Sequence, residues 1–432
     1  MNKLAYYQMF IIVVIIALLS SLFACAAAEP LPEQSAPFSS QSISNTPTSI
    51  PTPTNTIVPS PPDTDELANL VMSGLYPDAL LASDNTEGIV GIAIKDFQLS
   101  NISTPFWAIT SYTFRNVETQ NHFVAVYTHN DNQWQEISRL DLESMPDYMH
   151  DSPPHVVEIE PDLAWIEIDG AVGAHSTVYE IVSFDGKNLN SEITSFNSSG
   201  EAGYLKDINE DGTLEVILNL TENYIFCYAC GVRKPIFDIV AWNGSELLSV
   251  SLEFSTNFDP KSPDALNNKA VQLGQVELWM DAQTIMDEAL AQDSDNPVFK
   301  KNGAIIKLHA DAHKSFTENS PYPILNYIFY GDYDSAMNQF RPYTPSQIFT
   351  LDSPLIIDTV AQGWEPELVK WIKGSVEPTL ELDPMSAESN FFLAWAAYLA
   401  DPNDIAVFTY LEKAMELDPE EMLYGECLSY LR

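Results

Sequence analysis

Side chains that carry oxygen recur at alternate positions in Asp207-Ile208-Asn209-Glu210-Asp211-Gly212-Thr213-Leu214-Glu215. With Asp207 as the first position, side-chain oxygens fall at the first, third, fifth and ninth, and Thr213 at the seventh can offer its backbone carbonyl. Calcium takes about six to eight hard oxygen ligands, so Asp207, Asn209, Asp211, Thr213 and Glu215 form a candidate calcium set. Gly212 permits the sharp reversal that would aim them inward. The competing reading is an Asx-rich turn with no ion. A second loaded spacing is Cys227-Tyr228-Ala229-Cys230. No second cysteine pair completes a zinc site, and no strand-to-helix setting supports thiol exchange. A small disulfide closing a turn is therefore expected. Cys427 is left over and is expected as a buried free thiol on a terminal helix. His309 and His313 stand four apart on a predicted helix and could share a metal. No third ligand is identifiable, so they are expected on a solvated helix face. Neither a serine elbow, an HExxH motif nor a phosphate loop occurs, and no catalytic residue is assigned.

The composition narrows the partners. The chain has 432 residues, with 61 Asp and Glu against 19 Lys and Arg, for a formal charge of −42. Nucleic-acid binding needs clustered Lys and Arg, and anionic headgroups attract the same residues, so both are disfavoured. Four cysteines are too few for a disulfide-built fold, so the cores must be hydrophobic.

The first 25 residues read as an export signal. Lys3 is followed by an uncharged apolar stretch from Phe10 to Leu19, and Leu22-Phe23-Ala24-Cys25 resembles the lipobox of bacterial lipoproteins. The resemblance implies that Cys25 becomes the lipidated first residue of the mature chain. An uncleaved anchor helix is the alternative. Residues 26–66 are rich in Pro, Ser and Thr, as in Pro47-Thr48-Ser49-Ile50-Pro51-Thr52-Pro53-Thr54. With little apolar surface to bury, this segment is expected as a disordered, extended spacer.

Residues 85–256 alternate β-branched and aromatic residues with turn signals. Three stretches look alike: 123–142 around Asn130-Asp131-Asn132, 179–196 around Asp185-Gly186, and 237–254 around Asn243-Gly244. Each reads as a strand, a tight turn and a returning strand. Tyr127, Phe184 and Trp242 recur about every 58 residues, and Trp107 and Trp165 repeat that interval upstream. Such a period means repeated supersecondary units, arranged as a partial propeller-like stack or as a sandwich. The Asp207–Glu215 loop resembles the first nine positions of an EF-hand loop, but Leu218 stands where the twelfth-position Glu would be, and a strand follows. That combination is similar to the calcium loops of FG-GAP or VCBS-like repeats, which implies a structural ion stapling a hairpin.

From about Asp264 the apolar period becomes helical. Leu380-Glu381-Leu382-Asp383-Pro384 and Met415-Glu416-Leu417-Asp418-Pro419 lie 35 residues apart. With Ala270, Gly274, Ala282, Trp395, Tyr398 and Ala414 they resemble tetratricopeptide repeats, which implies a concave surface for a protein or peptide partner.

The expected chain is thus α+β and multidomain: signal peptide 1–25, linker 26–66, antiparallel β-repeat domain 67–258, and tetratricopeptide-like helical domain 259–432. The expected function is that of a non-catalytic, lipid-anchored extracytoplasmic interaction or scaffold module. Its alternatives are a calcium-dependent glycan or adhesion module, and a hydrolase with its site in the β domain.

Overall fold

The computed structural model describes residues 62–74, 80–81, 91–112, 122–142, 148–149, 154–172, 176–198, 200–222, 225–227, 230–256, 259–317 and 319–432. Cys25, the export segment and most of the expected linker lie outside the described residues. Thr64–Glu66, assigned to that linker, instead open helix α1 (Thr64–Ser73), whose first turn is capped by Asp63.

Three sheets follow in chain order. The first runs β1 (Leu80–Leu81), β2 (Gly91–Phe97), β3 (Phe106–Tyr112), β4 (Phe123–Asn130) and β5 (Gln133–Asp141). It is an antiparallel meander with short β1 added in parallel at one edge. The second holds β6 (Tyr148–Met149), β7 (His155–Glu160), β8 (Leu163–Val172), β9 (Ser176–Phe184) and β10 (Leu189–Asn197); β6 and β7 share one edge of β8. The third is the meander β11 (Gly203–Lys206), β12 (Glu215–Asn219), β13 (Phe237–Trp242) and β14 (Leu247–Ser249). The expected hairpins are β4–β5, β9–β10 and β13–β14. Asp131, Asn132, Gly186 and Gly244 all take positive φ at the turns, as tight hairpins demand.

The sheets are stacked face to face. Phe106, Ala108, Val124 and Val126 of the first pack on Ala164, Ile166, Val182 and Phe184 of the second. The opposite face of the second, with Trp165, Tyr179 and Ile181, meets Val216 and Val240 of the third. Helix α1 covers the free face of the first sheet with Leu67, Ala68 and Val71. Because both faces of the middle sheet are covered, β9 is buried almost continuously. Strands buried on two sides read as unbroken apolar runs rather than alternating ones.

This stack sorts the aromatic repeat. Tyr127 packs in the α1 layer, Phe184 in the layer between the first two sheets, and Trp242 in the layer between the second and third. All three therefore point toward the N-terminal end of the stack. Trp107 and Trp165 do not correspond. Trp107 pairs with Tyr127, but Phe184 pairs with Ala164, so Trp165 is one residue out of step. A one-residue offset sends a strand side chain to the other face. Trp165 accordingly faces the third sheet and meets Trp242 edge to face at 6.2 Å.

The helical region comprises α2 (Pro263–Gln275), α3 (Trp279–Gln292), α4 (Pro297–Thr317), α5 (Pro323–Phe329), α6 (Tyr333–Phe340), α7 (Pro345–Ile348), α8 (Glu365–Leu382), α9 (Ala387–Ala400), α10 (Ala406–Leu417) and α11 (Met422–Leu431). Pro263, Pro323 and Pro345 sit in first turns, where a missing N–H costs nothing. The two matching Leu-Asp-Pro endings close α8 and α10 in nearly the same geometry: Asp383 has φ −125° and ψ 84°, and Asp418 has φ −134° and ψ 86°. Helix α9 is apolar nearly all round because its neighbours enclose it.

Residues 61–432 form one compact unit. The segments expected as separate β and helical domains share cores. Ile217 and Ile239 pack with Ile305 of α4. Phe226 and Val232, from the excursion between β12 and β13, enter the main helical core.

Candidate functional site

Strands β11 and β12 pair from Lys206 opposite Glu215, so the loop between them leaves and re-enters the third sheet at adjacent points. Its carboxylates fold back on its own backbone. Asp207 accepts from the Asp211 N–H at 3.1 Å and the Gly212 N–H at 2.9 Å. Asp211 accepts from the Thr213 N–H at 2.8 Å, and Asn209 from the Asp211 N–H at 3.0 Å. Glu210 and Gly212 take positive φ, which makes the reversal. Glu215 is buried and accepts from the Ile208 N–H at 3.0 Å.

The loop's electrostatics are uneven. The Thr213 N–H holds the Asp211 carboxyl below the usual carboxylate range. Burial pushes Glu215 upward, against the Ile208 N–H, and the charges of Asp211 and Asp207 push it further. Three carboxylates and an amide suit a hard dication chemically, and a cation beside Glu215 would relieve both effects that raise it. The side chains as placed do not converge, however. Among the described residues, no group of three or more His, Cys, Asp or Glu could hold a metal ion. Ligation requires Asp207 and Asp211 to turn from backbone N–H groups toward a common centre.

A cleft of about 550 Å³ opens beside this loop, between Lys206–Glu210 and one face of α4. Phe237, Leu308 and Phe316 supply apolar wall. Lys206 lies on the loop side, and Lys307 on the helix side pairs with Asp311 at 2.8 Å. The cleft thus joins apolar surface to a rim of both charges.

The remaining motifs fall elsewhere. Cys227 and Cys230 are joined by a disulfide with Cα atoms 5.2 Å apart. The Cys230 N–H donates to the Cys227 carbonyl at 3.1 Å, closing the turn. The excursion that carries it anchors Phe226 edge to face against Tyr322 at 5.6 Å. Cys427 is a buried free thiol, raised to about 12 chiefly by burial. Trp371 packs edge to face on Phe329 at 5.7 Å, whereas Trp364 is exposed.

The histidine pair corrects the expectation of a solvated face. His309 is buried and stacks flat on Trp279, ring centres 3.9 Å apart, with Phe237 at its edge. His313 lies 3.6 Å from Asp332 and edge-on to Tyr330. The two rings serve different neighbours. Ile305 and Ala312 flanking His309 at helical spacing were the sequence signal for burial. The aromatic partner, Trp279, lies 30 residues away and had no local signature. Nor did the lysines of the cleft, which come from a strand end and a helix far apart in sequence.

No known family model matches this chain, and no curated protein matches it. Among the described residues, no helix is long and apolar enough to cross a membrane.

Proposed function

We propose that this chain is a non-catalytic, membrane-tethered extracytoplasmic lipoprotein whose folded body is a protein-interaction scaffold. Lipid on Cys25 holds it, and residues 26–61 space the body from the membrane. The three meanders resemble successive blades of an incomplete propeller, and the last helix pairs resemble tetratricopeptide units. The observation that carries the interaction role is the cleft between the Asp207–Glu215 loop and α4. It combines apolar wall with charges of both signs, the surface a short peptide needs for anchoring and register. The Cys227–Cys230 disulfide favours an oxidising compartment. Calcium in the loop, held by Asp207, Asn209, Asp211, Glu215 and the Thr213 carbonyl, would brace the cleft's β side.

The test is affinity capture from envelope extract with the full chain and with Ala312→Arg, each with calcium and with chelator. Ala312 lines the cleft from α4 at the margin of the main helical core, so a melting curve matching the parent's is required of the arginine variant as the control for folding. A partner retained by the parent and lost with Ala312→Arg is expected. Equal capture by both chains, or capture of nothing, contradicts the proposal.

A further inference from the structure

A second, smaller cleft of about 320 Å³ lies where the third sheet meets α2, α3 and α4. Phe237 borders both clefts. Junctions between packed elements are where small-molecule sites concentrate, and this volume is at the lower end of their range of about 300–1,000 Å³. Its walls are of two kinds. Phe237 and Trp279 present aromatic surface, while Asp238, Ser251, Gln275 and His309 present polar groups.

His309 is the informative one. The residue is only 8% exposed, and its ring is fixed by stacking on Trp279 and hydrogen-bonded to none of the described residues. Neither ring nitrogen is sealed away from solvent without a partner, so the imidazole meets the cleft with its hydrogen-bonding capacity open to a ligand. The lining contains neither lysine nor arginine. A phosphate or carboxylate would therefore meet the Asp238 carboxylate with no counter-charge. The polar groups instead suit hydroxyls, which both donate and accept: Asp238 accepts, while Ser251, Gln275 and a neutral imidazole do both. An aromatic wall accommodates the flat C–H face of a ring.

We infer that this cleft is a binding site for one neutral sugar ring, with His309, Asp238 and Gln275 bonding its hydroxyls and Phe237 backing its apolar face. This site is separate from the Asp207–Glu215 loop and does not rest on that loop's holding calcium.

The experiment uses the full-length chain with glucose, galactose and mannose in turn, and with glucosamine as the cationic comparison, reading saturation-transfer NMR of the sugar and tryptophan fluorescence. Saturable, weak binding of at least one is expected, unchanged by chelator. Removing one hydrogen-bonding group should weaken it by about fivefold in Gln275→Ala and in Ser251→Ala. Both residues are exposed, so neither variant endangers folding. His309→Gln should weaken it further. Saturable binding of none of the three sugars overturns the inference. So does equal affinity in the parent and both exposed-residue variants, or binding of protonated glucosamine alone, which would make the ligand a cation.

Discussion

At the scale of single residues, two buried ionisable groups make opposite demands on pH. Burial lowers His309 from 6.5 to about 4. The unfolded chain therefore binds the extra proton first as pH falls. This contribution is fully present above pH 6.5 and is lost between there and about 4. The shift corresponds to roughly 3 kcal/mol, of which the Trp279 face returns part by attracting the imidazolium. Urea melts at pH 7 and pH 5 should show His309→Gln losing less stability on acidification than the parent. Equal losses would remove His309 as a determinant.

Glu215 behaves in reverse. Its carboxyl is raised by burial and by Asp211 and Asp207, so the ionised form is a strain on the native state that grows as pH rises through the carboxylate range. In chelator at neutral pH, Glu215→Gln should melt higher than the parent. With calcium the order should invert, because the parent gains a ligand-linked term that grows with free ion and the variant lacks one charged ligand. Identical melting of the parent with calcium and with chelator would leave the plain turn.

At the scale of elements, hairpins and helix ends were legible because their determinants are local. Asn243-Gly244 and Asp185-Gly186 specify tight turns through φ alone, and the Leu-Asp-Pro endings stop α8 and α10 alike. Which face a strand residue takes was less legible. The Trp107–Trp165 interval equals the true repeat in length, yet it breaks register, because the count that matters runs along the pairing and not along the chain. His309 was misread for a related reason: an amphipathic face tells that a helix is covered, not by what. Connections pose their own test. Gly331 sits between α5 and α6 at φ +70°, and an added Cβ would lie 3.0 Å from the Leu278 backbone and closer still to its side chain. Gly331→Ala combines left-handed strain of about 1 kcal/mol with a clash against a fixed neighbour, so a loss of roughly 2–3 kcal/mol is expected in denaturant unfolding. A loss below about 0.5 kcal/mol would show that α3 and α5 yield at that contact.

At the scale of the molecule, the order of regions could be read from periodicity, but their fusion could not. The change from period two to 3.6 marks a change of element type. It carries no information on whether the two parts share a core. That depends on pairs such as Ile217 with Ile305 and Phe226 with Tyr322, which no local pattern links. Fusion has a functional consequence, since both clefts lie between the third sheet and α4 and exist only if the β and helical parts fold together. The acidic surface bears on the same reading: a charge of −42 favours basic partners and disfavours the anionic membrane face, so the proposed tether is assigned to the N-terminal end rather than to the body.

That attachment is the claim on which the extracytoplasmic role depends. The most direct measurement is metabolic labelling with a clickable fatty acid, comparing the full chain with Cys25→Ser and fractionating both. The account predicts a labelled envelope product beginning at Cys25, with the label abolished in Cys25→Ser. Undiminished labelling in the variant, or an unlabelled parent in the cytosol with its initial methionine intact, would contradict it.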